Sequence, residues 1–484
     1  MNKKYRTIAI ALAATIVGAF ALGLVMPNFI QTKEKRYHQH LAAEEKAPCQ
    51  HEDDVFCTHL PVIMIDTDGE AIPGKAYYDE DGTRHYTTTP DGETHVLASV
   101  RIVDGKGTNN HISDEAAVTS LAKTRIRGYS SRHYIKSGYS LNFVDEADSN
   151  VPYSVMGMDA HHEWVLHGPI LDKTLIRNYM WYNIAGEIMD YAPNARFCEA
   201  FINGQYVGLY LMVESVTAGK KDARLSLSID KKNNTFTGYC LRLDRGSSEI
   251  KNMNTFSMYT YQTVSVVDSV YPGTSNLTPA LKKAIQDDFS AFERLLYSSD
   301  YNDEAYGYPA YIDVDSFADY FILNEFTSNY DAGMLSTYIY KEGGGRYKMC
   351  VWDFNSALDN YQEQPTDFET FLLQDRVWFN ALFRDGAFTE RVIERYRELR
   401  ETYLSEEYLN RYIDETVAYL GDAIDRNYEY WFMAFDYDLL HPIERNPDSY
   451  EEAVEDMKAY IHVRGEWMDE HIETLRRYIV DPVE

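Results

Sequence analysis

Alternation between apolar and polar residues predicts short strands in the first half of the chain. The first four strand-like runs lie at residues 60–65, 95–102, 124–127 and 139–143. Two more runs flank Asn203-Gly204, a dipeptide typical of tight hairpin turns. Residues 172–189 instead repeat apolar side chains at helical spacing, which predicts a helix.

Beyond Asp367 the pattern becomes helical and rich in charge. An apolar spacing close to 3.6 residues predicts helices through Leu399, Tyr403, Leu409, Ile413, Val417, Leu420 and Ile424. Strands followed by helices indicate an α+β fold with antiparallel sheets and a helical C-terminal part. The predicted organisation is an anchor over 1–30, a linker over 31–58, an α+β core over 59–362, and a helical part of the same domain over 363–484.

Residues 8–30 contain no charged side chain and follow three basic residues, Lys3, Lys4 and Arg6. This run is long enough to cross a bilayer as one helix. No small-residue cleavage site follows it, so we expect an uncleaved, single-pass transmembrane anchor. A short basic N-terminus usually stays in the cytoplasm, which predicts a cell-membrane protein with its domain outside the cell.

The net charge is −30, from 46 basic and 76 acidic residues. A surface this acidic repels phosphate backbones, so we expect no nucleic-acid partner. The same charge is compatible with a site that requires a cation.

Five cysteines bear on the redox environment. Cys49 and Cys57 have a spacing that allows a small disulfide loop, as expected in an oxidising exterior. A zinc site that includes His51 is the alternative. The other three cysteines lie in apolar runs, where a buried thiol is the ordinary outcome.

Two aspartates stand at either end of a predicted hairpin. The hairpin covers residues 336–351, has a turn at Gly343–Gly345, and would return Asp353 close to Asp331. Paired carboxylates of this kind serve phosphoryl transfer, since one orients the acceptor hydroxyl and the other holds a metal. The alternative is two aspartates that cap turns. His167, five residues after His162, lacks helical metal-site spacing, and we interpret it as a turn or pocket-rim histidine.

Several motifs occur in an order that resembles the spore-coat protein H (CotH) kinase family, over residues 59–480. They are Arg127-Gly-Tyr-Ser-Ser-Arg132 with Lys136, Asp172 to Asn178, Asn203 to Tyr210 with Glu214, Asp331, and Trp352-Asp-Phe-Asn355. The resemblance implies an atypical protein-kinase-like fold. It also implies transfer of the γ-phosphoryl group of ATP, with Mg²⁺ or Mn²⁺, to Ser or Thr of a protein substrate, with coat or cell-surface proteins as candidates.

The resemblance also assigns roles to individual residues. Asp331 would orient the substrate hydroxyl as the catalytic residue, while Asp353 and Asn355 would bind the metal. The nucleotide would be bound by three further residues, Lys136, Arg127 and Glu214. Arg177, on the predicted helix, is interpreted as an ion-pair former.

Three positions depart from the family pattern. Tyr129 replaces the usual Asn, Asn355 replaces the second Asp, and Ser336 stands where an Asn could bind metal. Loss of a carboxylate weakens cation binding, although an amide oxygen still coordinates Mg²⁺ or Mn²⁺. The alternative function is therefore a pseudokinase that acts as an extracellular adhesion or coat-assembly binding module. Phosphoryl transfer from ATP discriminates the two.

Overall fold

The computed structural model describes residues 36–42, 46, 49, 55–168, 170–216, 225–246, 249–253 and 265–480. Contacts divide the chain into two units, Met1–Arg36 and Tyr37–Glu484, and the fold below belongs to the second. The domain boundaries predicted from the sequence stay predictions.

The described strands are β1 (Val62–Asp66), β2 (Ala76–Tyr78), β3 (Arg84–Tyr86), β4 (Val96–Val103), β5 (Val118–Arg127), β6 (Gly138–Val144), β7 (Tyr153–Val155), β8 (Met158–His161), β9 (Glu163–His167), β10 (Ala195–Ile202), β11 (Gln205–Glu214), β12 (Ile229–Asp230), β13 (Thr235–Phe236), β14 (Tyr239–Arg245), β15 (Ser265–Tyr271), β16 (Thr337–Lys341) and β17 (Tyr347–Cys350).

The described α-helices are α1 (Arg177–Ile188), α2 (Pro279–Leu295), α3 (Tyr308–Tyr311), α4 (Val314–Phe326), α5 (Phe379–Leu382), α6 (Gly386–Arg400), α7 (Glu406–Leu420), α8 (Asp422–Tyr430) and α9 (Tyr450–His471). Short 3-10 helices cover Ser130–His133, Thr274–Asn276, Ile443–Arg445 and Ile472–Tyr478.

Seven strands form a closed barrel in the order β1-β10-β11-β9-β6-β5-β4. Alternation fills its interior: Ala98, Val100 and Ile102 of β4 lie in the barrel core, whereas Leu97 and Ser99 are exposed. Strand β1 pairs with β4 in the antiparallel sense and with β10 in the parallel sense, which closes the sheet. Closure leaves the barrel without a free edge strand.

The predicted fold class is therefore wrong. An atypical kinase-like α+β core with antiparallel sheets was expected, but the structure is a mixed α/β fold with a closed barrel that contains a parallel pair. Alternation predicts which side chains face inward, but β1 and β10 are more than a hundred residues apart, and a local pattern does not specify such a pairing.

The transmembrane helix of the same prediction also needs correction. Residues 8–30 lie outside the described residues. Among the helices that the structure describes, none is both long enough and apolar enough to cross a membrane.

Helix α1 begins at Arg177, five residues later than predicted. The Asp172 carboxylate accepts from the backbone N–H groups of Thr174 (3.1 Å) and Arg177 (2.9 Å), and Leu175 between them has a φ of +65°. This turn delays the helix, since a left-handed residue cannot continue it. Arg177 pairs with Asp172 at 2.6 Å, which confirms the predicted ion pair.

A four-stranded sheet, in the order β15-β14-β16-β17, carries the predicted hairpin. Strands β16 and β17 pair in the antiparallel sense, and Gly343 and Gly344 in the turn both have positive φ. The Asn203-Gly204 hairpin between β10 and β11 is confirmed as well, with positive φ at both residues as a two-residue turn requires.

The C-terminal helices pack against helix α4, which lies just before Asp331. Arg464 of α9 pairs with Glu325 of α4 at 2.7 Å, and both side chains are fully buried. The guanidinium also donates to the carbonyls of Phe368 and Thr370, and the Glu325 carboxylate accepts from the backbone N–H groups of Leu372 and Leu373. One buried pair thus connects α4, α9 and the segment between them.

Asp319 of α4 should make stability dependent on pH. Its carboxylate is 4% exposed and pairs with Arg395 at 2.7 Å, but burial raises its pKa from 3.8 to about 6. The folded state thus keeps a proton that the unfolded chain releases between these values, so stability is lost as the pH rises through 6. As the pH rises from 4 to 7, the free energy of unfolding of Asp319→Asn should increase by about 2 to 3 kcal/mol relative to that of the unmodified protein. Urea unfolding at each pH measures this difference.

Asp315→Asn is the matched control, because it removes an exposed carboxylate from the same helix that also pairs with an arginine, Arg391. A stability difference between Asp319→Asn and the unmodified protein that stays constant with pH would contradict the prediction.

Candidate active site

A cavity of 1190 Å³ is lined by residues of the barrel strands β5 and β9 and of the sheet strands β14 and β15. Four of the six predicted site residues line it, namely Arg127, Asp331, Asp353 and Asn355. Ser336 and Tyr129, two of the departures from the family pattern, line it too. The two aspartates therefore share one cavity, as the hairpin geometry predicted.

Helix α1 positions the segment that carries Asp353. The Asp353 backbone N–H donates to the Tyr182 hydroxyl (3.0 Å), and the Phe354 N–H donates to Asn178 Oδ1 (2.7 Å). Asn178 and Tyr182 are four residues apart, so both side chains project from one face of the helix. Asp353 itself has a φ of +59°, a left-handed conformation that Asp tolerates better than most residues.

Asn355 holds the Asp353 carboxylate in place. Its Nδ2 donates to Asp353 Oδ1 at 2.6 Å. Its Oδ1 lies 3.2 Å from Asn178 Nδ2 and 3.1 Å from His167 Nε2. His167 Nε2 also lies 3.0 Å from Asn178 Nδ2, so this ring nitrogen either donates to Asn355 Oδ1 or accepts from Asn178, according to its tautomer. The carboxamide oxygen of Asn355 accepts from Asn178, and its nitrogen orients the Asp353 carboxylate.

Asp331 lies in a loop whose backbone is bound by the guanidinium of Arg376. The Arg376 guanidinium donates to the carbonyl oxygens of Tyr330 (2.7 Å) and Ala332 (2.8 Å), on either side of Asp331. The carboxylate of Asp331 accepts from the Ser356 hydroxyl at 3.4 Å. The rings of Tyr330 and Tyr361 stack at 3.9 Å beside it and line the cavity. The loop is therefore held through its backbone while its carboxylate faces the cavity.

Both carboxylates are destabilised in their charged form. Burial, together with the neighbouring Asp353 charge, raises the pKa of Asp331 to about 6, while the Arg245 charge lowers it. Burial also raises the pKa of Asp353, while Arg127 and hydrogen bonds from Asn355 lower it. For His167, burial lowers the pKa to about 4, with the Arg127 charge acting in the same direction. A cation or an arginine beside the two carboxylates relieves this cost.

Arginines from β3, β5, β14 and the 3-10 helix at Ser130–His133 line the cavity together with the two aspartates. Those that line it are Arg84, Arg125, Arg127, Arg132, Arg242 and Arg245. The guanidinium of Arg84 lies 4.0 Å from the centre of the Tyr129 ring and that of Arg245 lies 4.5 Å from it. Tyr129 thus holds two of these arginines by cation–π contact. In a chain with a net charge of −30, these arginines concentrate positive charge in the cavity.

The structure does not bring Lys136 and Glu214 to the described lining of this cavity. Lys136 is 1% exposed, and its Nζ donates to Leu209 O and Asn427 Oδ1, both at 2.7 Å. Helix α8 covers this side of β11, where a Cβ on Gly208 would lie 2.7 Å from Asn427 Oδ1. Glu214 is fully buried and accepts from the backbone and side-chain nitrogens of Asn194. Lys136 thus links β11 to α8, and Glu214 links the end of β11 to the residue before β10.

Two substitutions distinguish the role of Lys136 from that of Arg127. Lys136→Met should lower the free energy of unfolding by about 1 to 3 kcal/mol, since it leaves the buried Leu209 carbonyl without this donor. Nucleotide affinity should stay unchanged. Arg127→Met should instead weaken nucleotide binding about tenfold or more and leave the unfolding midpoint near that of the unmodified protein. Isothermal calorimetry with ATP and Mn²⁺, together with urea unfolding, measures both quantities.

Equal losses of affinity in folded Lys136→Met and Arg127→Met would contradict this separation and favour the predicted nucleotide role of Lys136. The roles assigned to the six site residues from the sequence stay predictions until such measurements.

Sequence reasoning missed several residues that shape the cavity. Asn178 belonged to a quoted motif but received no role, and His167 was interpreted only as a turn or rim residue. Arg245 and Arg376 had no signal of their own, because both come from segments distant from Asp331: Arg245 lines the cavity, and Arg376 binds the loop that contains Asp331. Spacing in the sequence does not report such contacts.

The residues present fit a nucleotide with a divalent cation. Mg²⁺ is usually bound through one or two carboxylates together with substrate phosphates, and Asp331 and Asp353 offer two carboxylates in one cavity. Their raised pKa values indicate charges that a cation would compensate. The guanidinium groups that line the same cavity suit phosphate oxygens. The chemistry of the lining thus matches both parts of a metal nucleotide.

Comparison with known proteins gives one match to a family. The model of the family described as CotH kinase protein matches residues 124–468, which is most of the chain. No curated protein matches the chain.

Proposed function

The chain belongs to the CotH kinase protein family, and from this premise we propose that it transfers the γ-phosphoryl group of ATP to a serine or threonine hydroxyl of a protein. The observation that carries the proposal is the cavity that Asp331 and Asp353 share with six arginines. Phosphoryl transfer depends on positioning and charge stabilisation, and this lining supplies carboxylates and guanidinium groups for both.

Each residue has a physical role in the proposed reaction. Asp331 accepts a hydrogen bond from the acceptor hydroxyl and orients it, since its loop is fixed by Arg376. Arg127 and Arg245 hold phosphate oxygens by charge-assisted hydrogen bonds. Asn355 and Asn178 keep Asp353 oriented. Mg²⁺ or Mn²⁺, held by Asp353 with the phosphates, would neutralise charge that develops on the transferred group.

The acceptor is proposed to be a protein segment. The cavity has room for more than a nucleotide triphosphate tail, and the stacked Tyr330 and Tyr361 beside Asp331 offer an aromatic surface for a peptide. Coat and cell-surface proteins remain the candidate substrates from the family resemblance. The location outside the cell membrane and the absence of a nucleic-acid partner stay predictions.

Transfer from labelled ATP tests the proposal. The full chain should transfer label from the γ-phosphate, with Mn²⁺ or Mg²⁺, to itself or to a generic protein acceptor, and acid hydrolysis should release phosphoserine or phosphothreonine. Label from the α-phosphate is the control for nucleotide attachment. Nucleotide binding without transfer under any metal would favour the pseudokinase alternative, and neither binding nor transfer would overturn the proposal.

A further inference from the structure

A second cluster of metal-type ligands lies apart from the cavity described above. Cys49, Cys57 and His111 place their ligand atoms, two sulfurs and an imidazole nitrogen, within 4.8 Å of one another. All three residues are partly exposed. Cys49 and Cys57 are both thiols in the structure, so the disulfide considered from the sequence is not formed.

The fold brings His111 to the two cysteines. The segment that follows Cys57 pairs with the loop between β4 and β5 through two backbone hydrogen bonds that join Thr58 and Asn110, at 3.1 and 2.7 Å. The Asn110 side chain, 1% exposed, anchors this loop by donating to Leu60 O and accepting from the Gly105 N–H. His111 comes directly after Asn110. The backbone position of His111 is thus set by the buried contacts of Asn110.

The imidazole is also oriented as a ligand. Asp114 Oδ2 accepts from the His111 backbone N–H at 2.8 Å and lies 3.1 Å from Nδ1 of the ring. A carboxylate on Nδ1 favours the proton on that nitrogen and makes Nε2 the ring nitrogen that faces the sulfur, an arrangement that accompanies histidines bound to zinc. Nε2 points to Cys49 Sγ at 3.0 Å. Asn109 Nδ2 lies 3.3 Å from Cys57 Sγ and can stabilise a thiolate there.

We propose that Cys49, Cys57 and His111 form a binding site for Zn²⁺. Two thiolates and one imidazole are a ligand set that zinc prefers, and separations of this size suit three corners of a tetrahedron. Three protein ligands leave a fourth position for water or another ligand. Binding replaces two thiol protons by the metal, so two protons are released for each ion bound. The ion would link the segment before β1, which contains Cys49 and Cys57, to the loop between β4 and β5, which contains His111.

Cobalt titration of the full chain tests the site. The protein is reduced with a phosphine, stripped with a chelator and titrated with Co²⁺ alone as the probe. We expect a thiolate-to-cobalt charge-transfer band and the strong visible bands of tetrahedral Co²⁺, saturating at one ion per chain. Zn²⁺ should then displace Co²⁺, since it binds such ligands more tightly. Thermal unfolding should move to higher temperature with the metal, because the ion binds only the folded site.

Variants connect the signal to the residues. Cys57→Ser and His111→Ala should each remove the charge-transfer band or weaken binding at least about tenfold, and Asp114→Asn should weaken it about 10- to 100-fold while both thiols remain. His462→Ala is the matched control, because His462 also pairs with a carboxylate, Glu406 at 2.9 Å. It should leave the titration unchanged. Circular dichroism confirms that each variant is folded.

Two results would overturn the proposal. One is that the reduced protein gives no charge-transfer band with Co²⁺. This holds also if Cys49 and Cys57 form a disulfide in air. The other is a band that persists unchanged in folded Cys57→Ser and His111→Ala. Asp114→Asn keeps the test valid if either ligand variant fails to fold.

Discussion

Asp331→Asn is expected to reduce phosphoryl transfer by about 10² to 10⁴-fold while nucleotide affinity stays near that of the unmodified protein. The amide keeps the shape of the carboxylate but cannot accept a proton from the substrate hydroxyl, and this contribution belongs to the reaction more than to binding. Asp353→Asn should act differently. This substitution lowers the affinity for the cation. Mn²⁺ should therefore no longer increase the affinity for ATP, and phosphoryl transfer should be lost.

Calorimetric titration with ATP, with and without Mn²⁺, measures the affinities, and label transfer measures the rates. Asp367→Asn is the control, since it removes an exposed carboxylate outside the cavity. If Asp353→Asn binds ATP with Mn²⁺ as well as the unmodified protein does, Asp353 is not the metal ligand. Full transfer by Asp331→Asn would remove that residue from its proposed role.

Arg464→Met is expected to lower the free energy of unfolding by about 3 to 5 kcal/mol. The change leaves the Glu325 carboxylate buried without its cation, and an unpaired buried charge is costly. Burial already raises the pKa of Glu325, although the Arg464 charge lowers it. Because Asp331 follows α4 closely, nucleotide binding should be lost together with the fold, in one transition followed by tryptophan fluorescence in urea.

The double variant Glu325→Gln/Arg464→Met separates charge from packing. It carries no unpaired charge, so it should recover part of the loss, as expected for coupled partners. Arg411→Met, which breaks the exposed pair with Glu407, is the surface control and should have little effect. An Arg464→Met midpoint equal to that of Arg411→Met would show that the buried pair does not connect these helices.

Elements whose signals are local were predictable from the sequence. Asn203-Gly204 and the glycines at 343–345 set their turns because glycine and asparagine adopt positive φ at low cost. The helices through Leu399 and Leu409 follow from apolar spacing along one face. The start of α1 was missed by five residues, because an Asp172 turn competes with the helical pattern there.

Sequence signals were sufficient to predict the hairpins, the C-terminal helices, the family and the pair of aspartates at one cavity, because each rests on neighbouring residues or on an ordered set of motifs. The barrel instead depends on tertiary packing, since β1 must pair with β10, and so does the contact of Lys136 with Asn427 of α8. Tertiary packing also brings Arg376 to the backbone of the Asp331 loop and His111 to Cys49. Contacts between residues far apart along the chain depend on how whole elements pack, and no local pattern encodes that packing.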